Sequence, residues 1–229
     1  MLDDPKSNNY EPFYTLIEGI SNKEIAFFVP GNTDPQSFIL EEDGSLEKDY
    51  FIKGMEERGV ALLDSVQKVE VGNSHVYFTY YDNSIIKDFP KNTEATERQQ
   101  QLLNELAILD QLKDSDTLIA LNHYPSPDAE IDYFQNSKDH NFRSYDLIIA
   151  GHYHGGQIRV PLIGALFVPE PWYRWGGVLP PRDRVKGLWE YKGIQQYVSS
   201  GLGSSDAIPF MRFRFLNPPE INILTLTGK

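Results

Sequence analysis

Three short segments of this chain carry side chains able to hold a metal ion. They are Pro30-Gly31-Asn32-Thr33-Asp34, Asn122-His123-Tyr124-Pro125 and Gly151-His152-Tyr153-His154-Gly155-Gly156. Each follows an apolar run that reads as a buried strand, ending at Val29, Leu121 and Ala150 respectively. Ligands of layered α/β folds gather at the carboxyl ends of strands, so three adjacent ends would converge Asn32, His123, His152 and His154 on one spot. Imidazole and amide oxygen are ligands for divalent first-row metals. The chain has no cysteine, which removes thiolate zinc sites, disulfides and cysteine nucleophiles and leaves His, Asp, Glu and Asn as ligands. His152 and His154 stand two apart. On an extended strand they would share a face, whereas in a loop they can address two ions. The glycines around them allow a tight turn and close approach to a ligand.

The elements that must position these loops follow from periodicity. Residues 13–20 and 47–58 read as helices, the second ending at Gly59. Residues 24–29 form a continuous apolar strand, and 60–63, 66–71 and 75–80 are β-like, with Gly72-Asn73 a turn. The helix over 95–113 carries Leu102, Leu106 and Leu109 on one stripe. Runs at 116–121 and 145–150 are apolar on both faces, which suits central strands covered by other layers. Later strands are predicted at 157–160, 195–199 and 221–226. Alternation of β and α, then mostly β, gives an α/β layered sandwich.

Gly-Asn-Thr-Asp, Asn-His-Tyr-Pro and Gly-His-Tyr-His-Gly-Gly-Gln-Ile-Arg-Val-Pro together resemble the calcineurin-like metallophosphoesterase superfamily. The ending, Tyr197 to Gly203 and then Asn217-Pro218-Pro219-Glu220-Ile221, is similar to its bacterial membrane- or wall-associated phosphodiesterase branch. The resemblance covers roughly residues 24–227. It implies a four-layer α/β/β/α sandwich of two mixed sheets. It also implies hydrolysis of a phosphodiester or phosphomonoester by a metal-activated hydroxide between two ions: manganese, with iron, zinc or magnesium as alternatives. It casts Asn32, His123 and His152 as ligands of one ion and His154 as a ligand of the other. The three histidines are thereby catalytic, and Thr33, Gly155 and Gly156 lie beside the substrate.

Two departures bear on activity. The superfamily's Asp-x-His block and bridging Asp are absent, so the first strands of the fold are expected to be missing. Met1 would follow directly on them, with Asp3 at a position that is not a ligand. A missing upstream segment, carrying a membrane anchor, is favoured over an evolved loss. Thr33 replaces a His, and a hydroxyl can bind phosphate but is no general acid near neutral pH. The reading is one impaired phosphoesterase domain over residues 1–229 that alone binds one ion weakly. The alternative is an inactive binding or scaffold protein of the same fold.

Composition narrows the partners. A net charge of −12 disfavours nucleic acid, leaving a phosphoester small molecule or lipid-like substrate. No apolar run approaches the ~20 residues of a membrane helix, so the chain as given is expected to be soluble. The resemblance suggests membrane or wall association through the missing segment. His75 and His140 read as surface residues, Asp34 as a turn residue, Asn122 as a loop hydrogen-bonder and Arg159 as an exposed strand residue. Phe167, Trp172, Tyr173 and Trp175 are core aromatics or an apolar lip, with Arg174, Arg182, Arg184 and Lys186 set toward anionic headgroups or solvent.

Overall fold

Alternating and continuous apolar runs become strands here, and the turns between them carry the polar chemistry. The computed structural model describes residues 9–21, 23–42, 45–89, 97–205 and 212–227. Asp3 and the N-terminal departure, and the start of the helix predicted from residue 95, lie outside the described residues. The chain divides into two compact units, one ending at Asp64 and one beginning at Ser65.

The first unit contains α1 (Glu11–Glu18), β1 (Phe27–Phe28), β2 (Phe38–Leu40), β3 (Leu46–Lys48), α2 (Tyr50–Glu57) and β4 (Ala61–Leu62). Helix α2 starts where the Asp49 carboxylate accepts the Phe51 N–H at 2.8 Å, a cap that contributes about 1 kcal/mol. It ends at Gly59, which takes φ 78°. Its buried face, Phe51, Ile52 and Met55, packs with Tyr14, Val60 and Leu62. Strands β1 and β4 pair in parallel, and β2 and β3 antiparallel. The strand predicted over 24–29 contracts to two residues because only Phe27 and Phe28 find ladder partners.

The second unit contains β5 (Val66–Val71), β6 (Ser74–Tyr80), α3 (Tyr81–Ser84), α4 (Glu97–Leu106), β7 (Thr117–Leu121), α5 (Asp128–Asn136) and β8 (Leu147–Ala150). It continues with β9 (Arg159–Val160), β10 (Gly164–Ala165), β11 (Gly187–Tyr191) and β12 (Ile194–Val198). Six strands form one mixed sheet in the order β11-β12-β8-β7-β6-β5, its four inner strands parallel and both edge strands antiparallel. With helices packed on it, this is the mixed α/β class expected. One sheet face, with Tyr77, Leu118, Ala120 and Ile148, packs on Leu102 and Leu106 of α4 and Ile131 of α5. Fully burying an aliphatic chain such as Ile148 stabilises by roughly 1.5–3 kcal/mol. The other face carries Val76, Ile119 and Leu147, with half-buried Phe78, Leu121, Ile149 and Tyr197 around them.

One strand expectation fails outright. Residues 221–227 pair with no ladder, and Ile223 is 93% exposed. A β-branched run forms a strand only where an open edge accepts its backbone. Helix α5 and strand β11 were not anticipated.

Candidate functional site

Strands β7 and β8 are parallel neighbours, so the segments leaving their carboxyl ends emerge side by side. Two backbone bonds continue the ladder past the strands: Asn122 N–H to Ile149 O at 2.9 Å and Gly151 N–H to His123 O at 3.1 Å. This places His123 against His152, with His123 Nε2 and His152 Nδ1 2.9 Å apart and ring centroids 4.7 Å apart. The Tyr124 ring covers both, at 4.8 Å from His123 and 4.4 Å from His152.

Turn 151–157 is folded tightly. His152, His154 and Gln157 hold φ of 60°, 49° and 45°, and Gly155 and Gly156 are also positive. For the non-glycine residues this costs on the order of 1–2 kcal/mol each. Surrounding bonds hold it in place. Asn217 donates to His154 O at 2.6 Å, Arg159 to Gly155 O at 2.9 Å, and Ser205 N–H to Gln157 Oε1 at 2.9 Å. From below, the Tyr153 hydroxyl donates to the buried Glu170 carboxylate at 2.5 Å. A Cβ on Gly156 would lie 2.2 Å from the Ala165 Cβ, so only glycine fits. The His pair therefore lies on a strained loop and not on an extended strand. Gly155 and Gly156 are buried packing residues of that loop.

Burial governs the electrostatics. It pulls His123 down to about 4, helped by the field of His154. His152 is drawn to about 4 by burial and then by His123 and His154. His154 is lowered by burial and Arg214, against the opposing bond to Gly203 O. All three are neutral near pH 7 and carry a lone pair. Because His154 Nδ1–H donates to Gly203 O at 3.1 Å, its Nε2 is the nitrogen with the free pair. Beside them, Asn122 gives its amide N–H to Asp82 and to Tyr124 O, and its buried Oδ1 meets no donor among the described residues. Burial raises the Asp82 carboxyl, with the bonds from Asn122 and Tyr80 opposing.

Neutral imidazoles are the state a metal requires. The 2.9 Å approach of His123 Nε2 and His152 Nδ1 is that of one ring's N–H to the other's lone pair, and both nitrogens would have to give up that bond, their protons moving to the other ring nitrogens, to serve one ion. Yet among the described residues no group of three or more His, Cys, Asp or Glu is arranged to hold an ion. The donors on this turn fit part of a coordination sphere.

The remaining residues are placed as follows. Asn32 and Thr33 lie in the first unit, in the segment after β1, where the Thr33 Oγ1 is buried without a partner among the described residues. Asp34 closes the turn there by accepting Gly31 N–H at 2.7 Å. His75 pairs with Asp116, and His140 bonds Ser137. Arg159 braces the His turn and is half-buried. Sequence reasoning missed Asp82, Glu170 and Asn217. Only the Asn217-Pro218-Pro219 punctuation hinted at the last.

The sequence is similar to those of known proteins. The profile of the calcineurin-like phosphoesterases matches residues 5–156, more than half of the chain. An uncharacterized metallophosphoesterase of Bacillus subtilis (strain 168), YkuE, is 31% identical over 117 residues, which is 49% of this chain. The match spans about a third (32%) of that relative's length. No solved structure matches.

Proposed function

Because this chain belongs to the calcineurin-like phosphoesterase family, whose metallo-members use divalent metal ions, we propose that it is a metal-dependent hydrolase of phosphoric esters. The observation that carries the reading is the meeting of His123 and His152 at the ends of two parallel strands. His123 and His152 would hold one divalent ion, weakly, through neutral nitrogens, and His154 would serve a second ion only where further ligands complete that position, so the site is proposed to be impaired. A divalent ion bound there polarises a phosphoryl oxygen and lowers the pKa of water. The chain's own residues bind and orient. Tyr124 walls the imidazole pair, and the uncommitted Asn122 Oδ1 is a further acceptor. We assign manganese first, with iron, zinc or magnesium as alternatives, and a phosphodiester or a phosphomonoester as substrate. Asn32 as a ligand and Thr33 as a phosphate contact complete the proposal. So does a single domain built of both units, which is supported by a family match running across residue 64. Membrane or wall association also belongs to the proposal. Among the described residues no helix is long and apolar enough to cross a membrane.

A second reading is supported by the incomplete ligand set and by Thr33. It makes the chain a phosphoesterase-like binding or scaffold protein. Titration calorimetry with manganese separates the expectations. One weak site, lost in His152→Ala, is expected, and two tight sites would overturn the impaired-site proposal. Hydrolysis of bis-p-nitrophenyl phosphate, slow and abolished by His152→Ala, supports the enzyme. Phosphate binding without turnover at any metal concentration supports the scaffold.

A further inference from the structure

The stretch that leaves the His turn exposes apolar side chains where a soluble surface would bury or omit them. Leu162 is 86% exposed and Trp175 65%, and Ile163, Leu166, Phe167, Val178, Leu179, Phe215 and Leu216 are each exposed as well. They line one ribbon of chain, the ridge, whose neighbouring backbones are bonded together, with Trp175 three residues before Val178, the partner of Phe167. β9 and β10 pair as a hairpin with Leu162 at its tip. Leu179 N–H donates to Leu166 O, Leu166 N–H to Ile158 O and Arg159 N–H to Phe215 O, at 2.9–3.1 Å. Exposed apolar side chains gathered along one bonded ribbon mark an interaction site.

Charge selects the partner. From Arg159 to Lys186 there are five basic and two acidic residues, in a chain of net charge −12. Arg184 is paired with Asp128 and Asp183, and Lys186 with Glu220. Arg174 and Arg182 make no ion pair among the described residues. Arg174 stacks on the exposed Trp175 ring, 4.1 Å from its centroid. Arg182 stands near enough to Arg159 that its field, added to the larger effect of burial, lowers that guanidinium below its usual value. Exposed Leu and Trp beside two uncommitted arginines is the pattern of an interfacial surface: apolar chains enter the acyl boundary while guanidinium groups meet phosphate. A second copy of the chain fits less well, because a twofold self-contact would set the same arginines against one another.

We propose that this ridge docks on an anionic lipid bilayer, with Leu162 and Trp175 inserted and Arg174 and Arg182 on the headgroups. The rest of the acidic surface would be repelled, so docking has one orientation. The ridge is rooted on the His turn through the bonds from Arg159 to Gly155 O and from Asn217 to His154 O. The docked chain therefore holds that turn close to the lipid plane.

Sedimentation of the full chain with vesicles tests this. Binding to phosphatidylcholine vesicles containing phosphatidylglycerol is expected, weakening with salt, with little binding to pure phosphatidylcholine. The double variant Leu162→Ser, Trp175→Ser should bind at least tenfold more weakly with an unchanged thermal melt. Arg174→Ala and Arg182→Ala should each cost roughly fivefold. Equal binding by the variants, or none by the parent chain, would overturn the proposal. So would a ridge-dependent dimer in size-exclusion chromatography without vesicle binding. Sedimentation reads binding and not turnover, so its result stands apart from that of the phosphoesterase assay.

Discussion

Turn 151–157 and the ridge that follows it are consecutive in the chain and opposite in construction. The turn holds positive φ at three non-glycine residues, and side chains from Asn217, Arg159, Tyr153 and Ser205's backbone fix it from several directions. The ridge has a sparse backbone ladder and leaves its apolar side chains in solvent. The contrast separates two uses of free energy. Strain concentrated in a held turn fixes imidazoles in space, whereas exposed apolar surface retains the driving force for binding something else.

The largest expected break in this comparison comes from Gly156→Val. The added side chain meets Ala165 and must accept φ 77°. Urea denaturation should show a loss of about 3–5 kcal/mol. Next in size is a pH effect at Glu130, which accepts hydrogen bonds from Ser126 and Trp172. Burial, with repulsion from Glu170 and Asp82 behind it, raises its carboxyl to about 7 against the hydrogen bonds from Ser126 and Trp172. A raised acid favours the folded state below about 4.5, and that stability is lost as pH rises through 7. His123 and His152, depressed to about 4, act oppositely: their contribution is present above about 6.5 and lost as pH falls through 4. Thermal melts of Glu130→Gln should lack the decline between about pH 4.5 and 7, worth up to about 3 kcal/mol. His123→Gln should soften the acid limb. Tyr153→Phe is a smaller change. It removes the donor to Glu170 and should cost about 1–3 kcal/mol in the same denaturation assay. Smallest is Leu162→Ser on the ridge, expected within about 0.5 kcal/mol of the parent chain. A large loss there would show that the ridge is held like the turn, and the contrast would fail.

How much of this was legible in the sequence depended on where each element found its partners. The runs at 116–121 and 145–150 became β7 and β8 nearly as read, because an inner strand's apolar continuity reflects burial that its own residues dictate. Their end loops were legible for the same reason. The run at 221–226 has equal β propensity and stayed unpaired, since pairing depends on an edge elsewhere. Strand β11 carried a signal that was passed over. Lys192-Gly193, both at positive φ, is a two-residue hairpin turn between Trp189-containing β11 and β12. Helix α5 buries only Ile131, too little for an apolar stripe to reveal it. Of the site, residue types were readable and their support was not. Glu170 and Asn217 act through contacts 17 and 63 residues away in sequence. The basic cluster also divides in a way spacing could not foretell, with Arg184 and Lys186 ion-paired and Arg174 and Arg182 in no ion pair among the described residues.

Arg214 has a consequence of its own. Its guanidinium reaches the carbonyls of Ser200, Gly203 and Pro218 together, and Asn217 beside it grips His154. The peptide ending at Ser205 and the peptide starting at Arg212 are thus cross-tied by side chains independently of the covalent link between them. The molecule has the makings of a two-fragment protein: expressed as separate pieces divided there, the short C-terminal peptide carries its own address and should return to its seat.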